Sequence, residues 1–115
     1  ILGICLGQQA IGEVFGGNIM NLEKVYHGIA TEIEIIVQDE MLFKDLEKNI
    51  TVGRYHSWVV NPLELPDVLE ATSLDTNGQI MSLRHKIYDI KGVQFHPESI
   101  LTTSGKKILE NWVNS

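Results

Sequence analysis

The chain has 115 residues, a formal net charge of −6 and 43% hydrophobic residues. That length suits one compact domain rather than two, and the apolar share suits a packed core rather than a disordered tail. The acidic balance argues against a nucleic-acid or anionic-membrane surface, and no apolar run approaches the ~18 residues that would cross a bilayer. A single cysteine excludes an internal disulfide framework and fits a reducing, cytoplasmic setting.

The apolar run Ile1 to Ile4 leads into Cys5, which has Gly3 and Gly7 two residues away on either side. This is a nucleophile-elbow arrangement, G-x-C-x-G, with cysteine where hydrolases carry serine. Glycine at both positions removes Cβ atoms expected to collide where strand and helix close up. A helix starting at Leu6 aims free N–H groups and a partial positive charge at the sulfur. That predicts a lowered thiol pKa and makes the Leu6 N–H an oxyanion donor. Leu6, Ala10, Ile11, Val14 and Phe15 recur at helical spacing, and Gly16-Gly17 stops the helix.

Ile19-Met20 and Lys24-Val25-Tyr26 read as short strands. Ile29 to Val37 alternates in part, with Glu32 and Glu34 facing water opposite Ile33 and Ile35. Met41 to Leu46 reads as a helical turn. Ile50 to Tyr55 reads as a strand leading to a His56-Ser57 loop, with Val59-Val60 extending it, and Asn61-Pro62 and Leu65-Pro66 are breakers. Leu69 to Leu74 and Gln79 to His85 read as strands around Asp75-Thr76-Asn77-Gly78, a hairpin signal because Asn and Gly tolerate positive φ. Ile87 to Ile90 and Val93 to Phe95 follow as strands. The last helix runs from about Ser104 to Val113, capped by Thr103 or Ser104, with Ile108, Leu109, Trp112 and Val113 as its buried stripe. Two helices among many strands give an α/β class with a large antiparallel share.

Gln94, His96 and Glu98 alternate, so in an extended segment they share one face. Pro97 keeps His96 extended and ends or edges the strand. His96 is suited to take a thiol proton and return it to a leaving amine, and Glu98 to hold the imidazole tautomer. Alone, the His-Pro-Glu segment reads at least as well as a solvated turn, and Cys5 as an inert buried thiol; together they point to a cysteine triad. The four histidines are scattered without paired-ligand spacing, and no Gly-rich phosphate loop is present, so neither a metal nor another cofactor is expected. His56 reads equally as a substrate-side or an ordinary histidine, and His27 as an interface or a turn residue.

Three blocks together, Ile4-Cys5-Leu6-Gly7-Gln8-Gln9, Arg54-Tyr55-His56-Ser57 and Gly92-Val93-Gln94-Phe95-His96-Pro97-Glu98-Ser99, resemble the triad-type (class I) glutamine amidotransferases. Within that family the chain looks most similar to anthranilate synthase component II and its sister, the amidotransferase subunit of aminodeoxychorismate synthase. The resemblance implies a flavodoxin-like mixed sheet and glutamine hydrolysis through a glutamyl thioester on Cys5, with His96 and Glu98 completing the triad. It also implies substrate contacts from Leu6, Gln9, Ser57 and Trp58, and ammonia delivery to a chorismate-binding synthase subunit. Gln8, Trp58 and Ile29 depart from the histidine, leucine and lysine common in the subgroup. Family members carry further strands and a Pro-Gly-rich loop before the elbow, so residues 1–115 are expected to be the C-terminal portion of one amidotransferase domain. On that expectation the stretch alone is weakly active or inactive and self-associates. The competing readings are another cysteine hydrolase, such as a peptidase or γ-glutamyl hydrolase, and a silent amidotransferase-like binding subunit.

Overall fold

The computed structural model describes residues 1–115. Six strands form one sheet in the order β1 (Leu2–Ile4), β8 (Lys91–Val93), β7 (Ile80–His85), β6 (Leu69–Asp75), β3 (Ile29–Ile35), β4 (Asn49–Arg54). Only β1 and β8 run parallel; every other pairing is antiparallel. A separate antiparallel pair joins β2 (Ile19–Asn21) to β5 (Trp58–Val60). The helices are α1 (Leu6–Val14) and α2 (Gly105–Val113), and Met41–Phe43 and Pro62–Glu64 are single 3-10 turns. This is the expected α/β class, with a mixed sheet and an elbow.

Adjacent residues of β5 and of β7 enter different apolar clusters, and a register shift between Ile80 and Ser82 brings Leu83 to the same cluster as Ile80. Val59 and Met81 join Ile33, Ile35, Leu42, Val93, Phe95 and Ile108, whereas Val60 and Ile80 join Ile11, Leu69 and Leu83. Both faces of the sheet are therefore packed in its middle. In β3 the alternation holds as read, with Ile33 and Ile35 buried and Glu32 and Glu34 exposed.

Several elements differ from the sequence reading. Lys24–Tyr26 is not a strand. It follows the β4–β5 connection through single bonds, Leu22 N–H to the Ser57 carbonyl at 2.7 Å and Tyr26 N–H to the His56 carbonyl at 2.8 Å. Residues 87–90 form a turn held by His85, whose Nδ1 accepts the N–H groups of Ile87 and Tyr88 at 3.0 Å each. The last strand is Lys91–Val93, so Lys91-Gly92 lies inside it and Gln94-Phe95 beyond it. In the hairpin only Gly78 takes positive φ (78°), with Gly78 N–H on the Asp75 carbonyl.

The apolar residues mark the buried face of each helix only in part: Ile11 and Ile108 are buried as read, and the rest of each buried face is polar or glycine. In α1 the buried residues are Gln8, Gln9, Ile11 and Gly12, while Leu6, Ala10 and Val14 are exposed. In α2 the buried residues are Gly105, Ile108 and Asn111, and Val113 is exposed. A Cβ at Gly105 would collide with the Pro97 carbonyl, so the helix start lies directly on that loop. Asn111 then fastens the other end, donating to the Leu42 and Lys44 carbonyls at 3.0 Å. Ser104 is the residue before the helix but makes no side-chain cap. No helix is long and apolar enough to cross a membrane.

Candidate active site

The parallel pairing of β1 with β8 brings the two ends of the chain together. Leu2, Gly3 and Ile4 face Lys91, Gly92 and Val93, and Cys5 N–H continues the ladder to the Val93 carbonyl at 2.8 Å. The residues that follow, Cys5 on one strand and Gln94 to Glu98 after the other, therefore emerge side by side. Gly3 and Gly92 are direct partners in this register. A Cβ at Gly3 would sit 2.6 Å from the Gly7 backbone and one at Gly92 would sit 2.9 Å from Gln8. The close approach of α1 thus needs Gly3 and Gly92, whereas the Cβ position of Gly7 is open space. The elbow glycine whose absence of a side chain matters least is the one downstream of Cys5.

Cys5 adopts φ 54° and ψ −101°, a region costly for any residue with a Cβ. It is 9% exposed. Its side chain opens on a cleft of about 720 Å³ that also receives Leu6, Gln9, Tyr55, His56, Ser57, Trp58, His96 and Glu98. All seven residues singled out for the site from sequence therefore line one cavity. His96 Nδ1 pairs with Glu98 Oε2 at 2.8 Å, which leaves Nε2 as the free imidazole nitrogen. The ring is also braced edge-on by Tyr55, at 5.1 Å between centroids, and Tyr55 in turn bonds Ser99 Oγ at 2.9 Å.

The thiol pKa does not fall as the helix N-terminus suggested. Burial raises it above the ordinary value, the Leu6 N–H and the Gln94 amide lower it, and the Glu98 carboxylate raises it again. Desolvation of the charged form outweighs the two donors. That direction favours the neutral thiol over the thiolate.

His56, left open by the sequence, is buried and held on both nitrogens. Arg54 Nε donates to Nε2 at 3.1 Å, which places the proton on Nδ1, facing the Trp58 carbonyl at 3.0 Å. Burial and the Arg54 charge depress its pKa to about 4. Arg54 is itself fully buried, paired with Asp75 at 2.9 Å and stacked 3.5 Å from the centre of the Tyr26 ring. Gln9 Nε2 donates to the same Trp58 carbonyl at 3.0 Å and to Gln94 Oε1 at 3.2 Å. Sequence reasoning missed Tyr55 and the Asp75–Arg54 support. Tyr55 stood inside the Arg-Tyr-His-Ser block, but nothing local marked Asp75, which lies in a hairpin twenty-one residues away in sequence. No group of three or more His, Cys, Asp or Glu is arranged to hold a metal.

Comparison with known proteins identifies the family. The chain is 48% identical over 116 residues to anthranilate synthase component 2 of Cyanophora paradoxa. It is 45% identical over 114 residues to aminodeoxychorismate synthase component 2 of Klebsiella aerogenes. Each match takes in 99% of this chain and 60% of the relative, so the chain spans less than two thirds of their length. A Thermoplasma acidophilum protein described as a GMP synthase component superposes with a TM-score of 0.89 at 31% identity, over 99% of this chain and 55% of that one. The family model for class-I glutamine amidotransferases matches residues 1–115, and the chain belongs to that family.

Proposed function

We propose that the site hydrolyses L-glutamine to glutamate and ammonia and supplies the ammonia to a chorismate-using synthase subunit. The observation that carries this reading is the parallel β1–β8 register, which sets Cys5 and the His96–Glu98 pair around one cleft in a chain of this family. In the proposed reaction His96 Nε2 takes the thiol proton and Sγ attacks the glutamine carboxamide carbon. The tetrahedral oxyanion forms against the Leu6 N–H. Collapse breaks the C–N bond, and His96 returns the proton to the departing ammonia. Water then attacks the thioester with His96 as base, releasing glutamate and restoring the thiol.

Gln9 commits both amide protons to Trp58 and Gln94, which leaves its carbonyl oxygen for a donor on the substrate. The Ser57–Trp58 backbone is the second contact in this reading. Relatives named for anthranilate synthase and for aminodeoxychorismate synthase match almost equally, at 48% and 45% identity, so either chorismate product fits. The tryptophan-pathway enzyme is the first assignment and the folate-pathway enzyme the second. Self-association through the exposed residues Leu6, Ala10 and Val14 belongs to the same proposal.

The test is labelling of the full-length protein, with its synthase subunit present, by a glutamine-mimicking electrophile. Cys5 is expected to carry the label, and Cys5→Ala to abolish it. An unlabelled wild type would overturn the catalytic reading and leave a silent binding subunit.

A further inference from the structure

Gln94 is fully buried and lies one residue beyond β8. The register that ends at Ile4 and Val93 sets it beside Cys5, and its Nε2 donates to Sγ at 3.6 Å. The direction of that bond is imposed by its neighbours. The Trp58 carbonyl can only accept, so Gln9 turns its amide nitrogen toward it. The second proton on that nitrogen goes to Gln94 Oε1. With its oxygen engaged, Gln94 has only its nitrogen left to offer the sulfur. The sulfur therefore faces a donor, and its own proton is free to leave toward the cleft.

We propose that Gln94 is a catalytic residue whose amide N–H stabilises the Cys5 thiolate, and that the Trp58 carbonyl and Gln9 fix its orientation. This rests on Cys5 being the nucleophile. The titratable groups around the sulfur are His96 and Glu98 after β8, and Tyr55 and His56 between β4 and β5; α1 contributes the Leu6 N–H and no charged side chain to the cleft. Of the side chains there, Glu98 opposes the thiolate, and Gln94 is the neutral donor that favours it. A hydrogen bond to a charged acceptor is stronger than one to a neutral acceptor, so the contact gains strength as the proton leaves.

The test uses the full-length protein. The ultraviolet absorbance of the thiolate, taken as the difference from the matching Cys5→Ala protein, gives the Cys5 titration. Gln94→Met keeps the volume and removes the donor. Its midpoint is expected to rise by about one pH unit, which is about tenfold less thiolate at a fixed lower pH. Turnover number should fall about tenfold, with KM for glutamine unchanged within about twofold. In the unmutated protein the Gln94 side-chain amide NMR signal should move with the Cys5 midpoint and stay still in Cys5→Ala. A still signal, or a folded Gln94→Met protein with an unchanged midpoint, overturns the proposal. A shifted midpoint in a protein that consumes no glutamine upholds the role of Gln94 toward the thiolate and defeats the glutaminase reading instead.

Discussion

Two regions of the main sheet, the turn end of the central β6–β7 hairpin and the β1–α1 end at one edge, are built on opposite terms. At the hairpin end, backbone chemistry and tertiary structure agree. Gly78 supplies the positive φ of the hairpin, and Asp75 Oδ1 accepts the N–H groups of Asn77 and Gln79 at 2.9 Å each. Its other oxygen holds Arg54. At the β1–α1 end they conflict. A cysteine rather than a glycine takes the positive φ, α1 exposes Leu6 and Val14, and Gln8 is fully buried with neither amide atom bonded. An unmet buried polar group costs about 1–3 kcal/mol, and a strained φ/ψ pair about 1–3 kcal/mol. Gln79 Oε1 and Arg54 Nη2 are also buried without a partner at the hairpin end, so the contrast rests on the backbone, strained at Cys5 where the proposed chemistry lies and relaxed at Gly78.

The largest expected effect comes from breaking the agreeable end. Asp75→Ala strips a buried guanidinium of its partner and two backbone N–H groups of their acceptor. Removing one member of a buried ion pair costs about 3–5 kcal/mol, and a denaturant titration should show a loss of that size. A loss under about 1 kcal/mol would mean that Asp75 does not hold the hairpin end together, and the contrast would fail.

The next effect joins the two ends, because His56 receives its bond from Arg54 and passes one to Trp58. Its pKa falls from 6.5 to about 4 on folding. Between those values the unfolded chain binds the proton and the folded chain does not, so stability rises with pH across that window. The contribution is full above pH 6.5 and is lost as pH falls toward 4. At 1.36 kcal/mol per unit this amounts to roughly 3 kcal/mol. Thermal unfolding from neutral pH down to about 4 should show this slope in the wild type, and His56→Gln should lack it. Equal slopes in the two proteins would mean that His56 is not held neutral by the Arg54 network.

The same contrast explains how much was legible in the sequence. Strands β3, β4, β6 and β7 could be read because alternation and an Asn-Gly turn are local signals, and each strand pairs with an antiparallel neighbour close in sequence. The elbow itself was legible because Cys5 stands between Gly3 and Gly7 at the elbow spacing, directly after an apolar run. The buried faces of α1 and α2 were legible only in part. Apolar spacing marks a helix face only when the neighbour is apolar, and here the neighbours are Gly92 for Gln8 and the Leu42 and Lys44 carbonyls for Asn111. The lowered thiol pKa was misread for a related reason. Helix position is visible in sequence, but the burial that outweighs it is a property of the assembled cleft. Gln94 could be placed on the correct face, yet its bond to sulfur depends on Gln9 and Trp58 from two other elements.

The smallest expected effect measures the strain at the conflicted end directly. Cys5→Ala and Cys5→Gly both delete the sulfur and its bond to Gln94, so their difference isolates the backbone. Alanine keeps a Cβ at φ 54° and glycine does not. Relief of a residue held in a disfavoured region is worth about 1–3 kcal/mol, whereas the extra freedom of glycine in the unfolded chain costs about 0.4–1 kcal/mol. Relief should win, leaving Cys5→Gly about 1 kcal/mol more stable than Cys5→Ala in parallel thermal melts. If the glycine protein melts lower, the elbow stores less strain than its angles suggest. The burden at this end would then rest on Gln8 and the exposed face of α1.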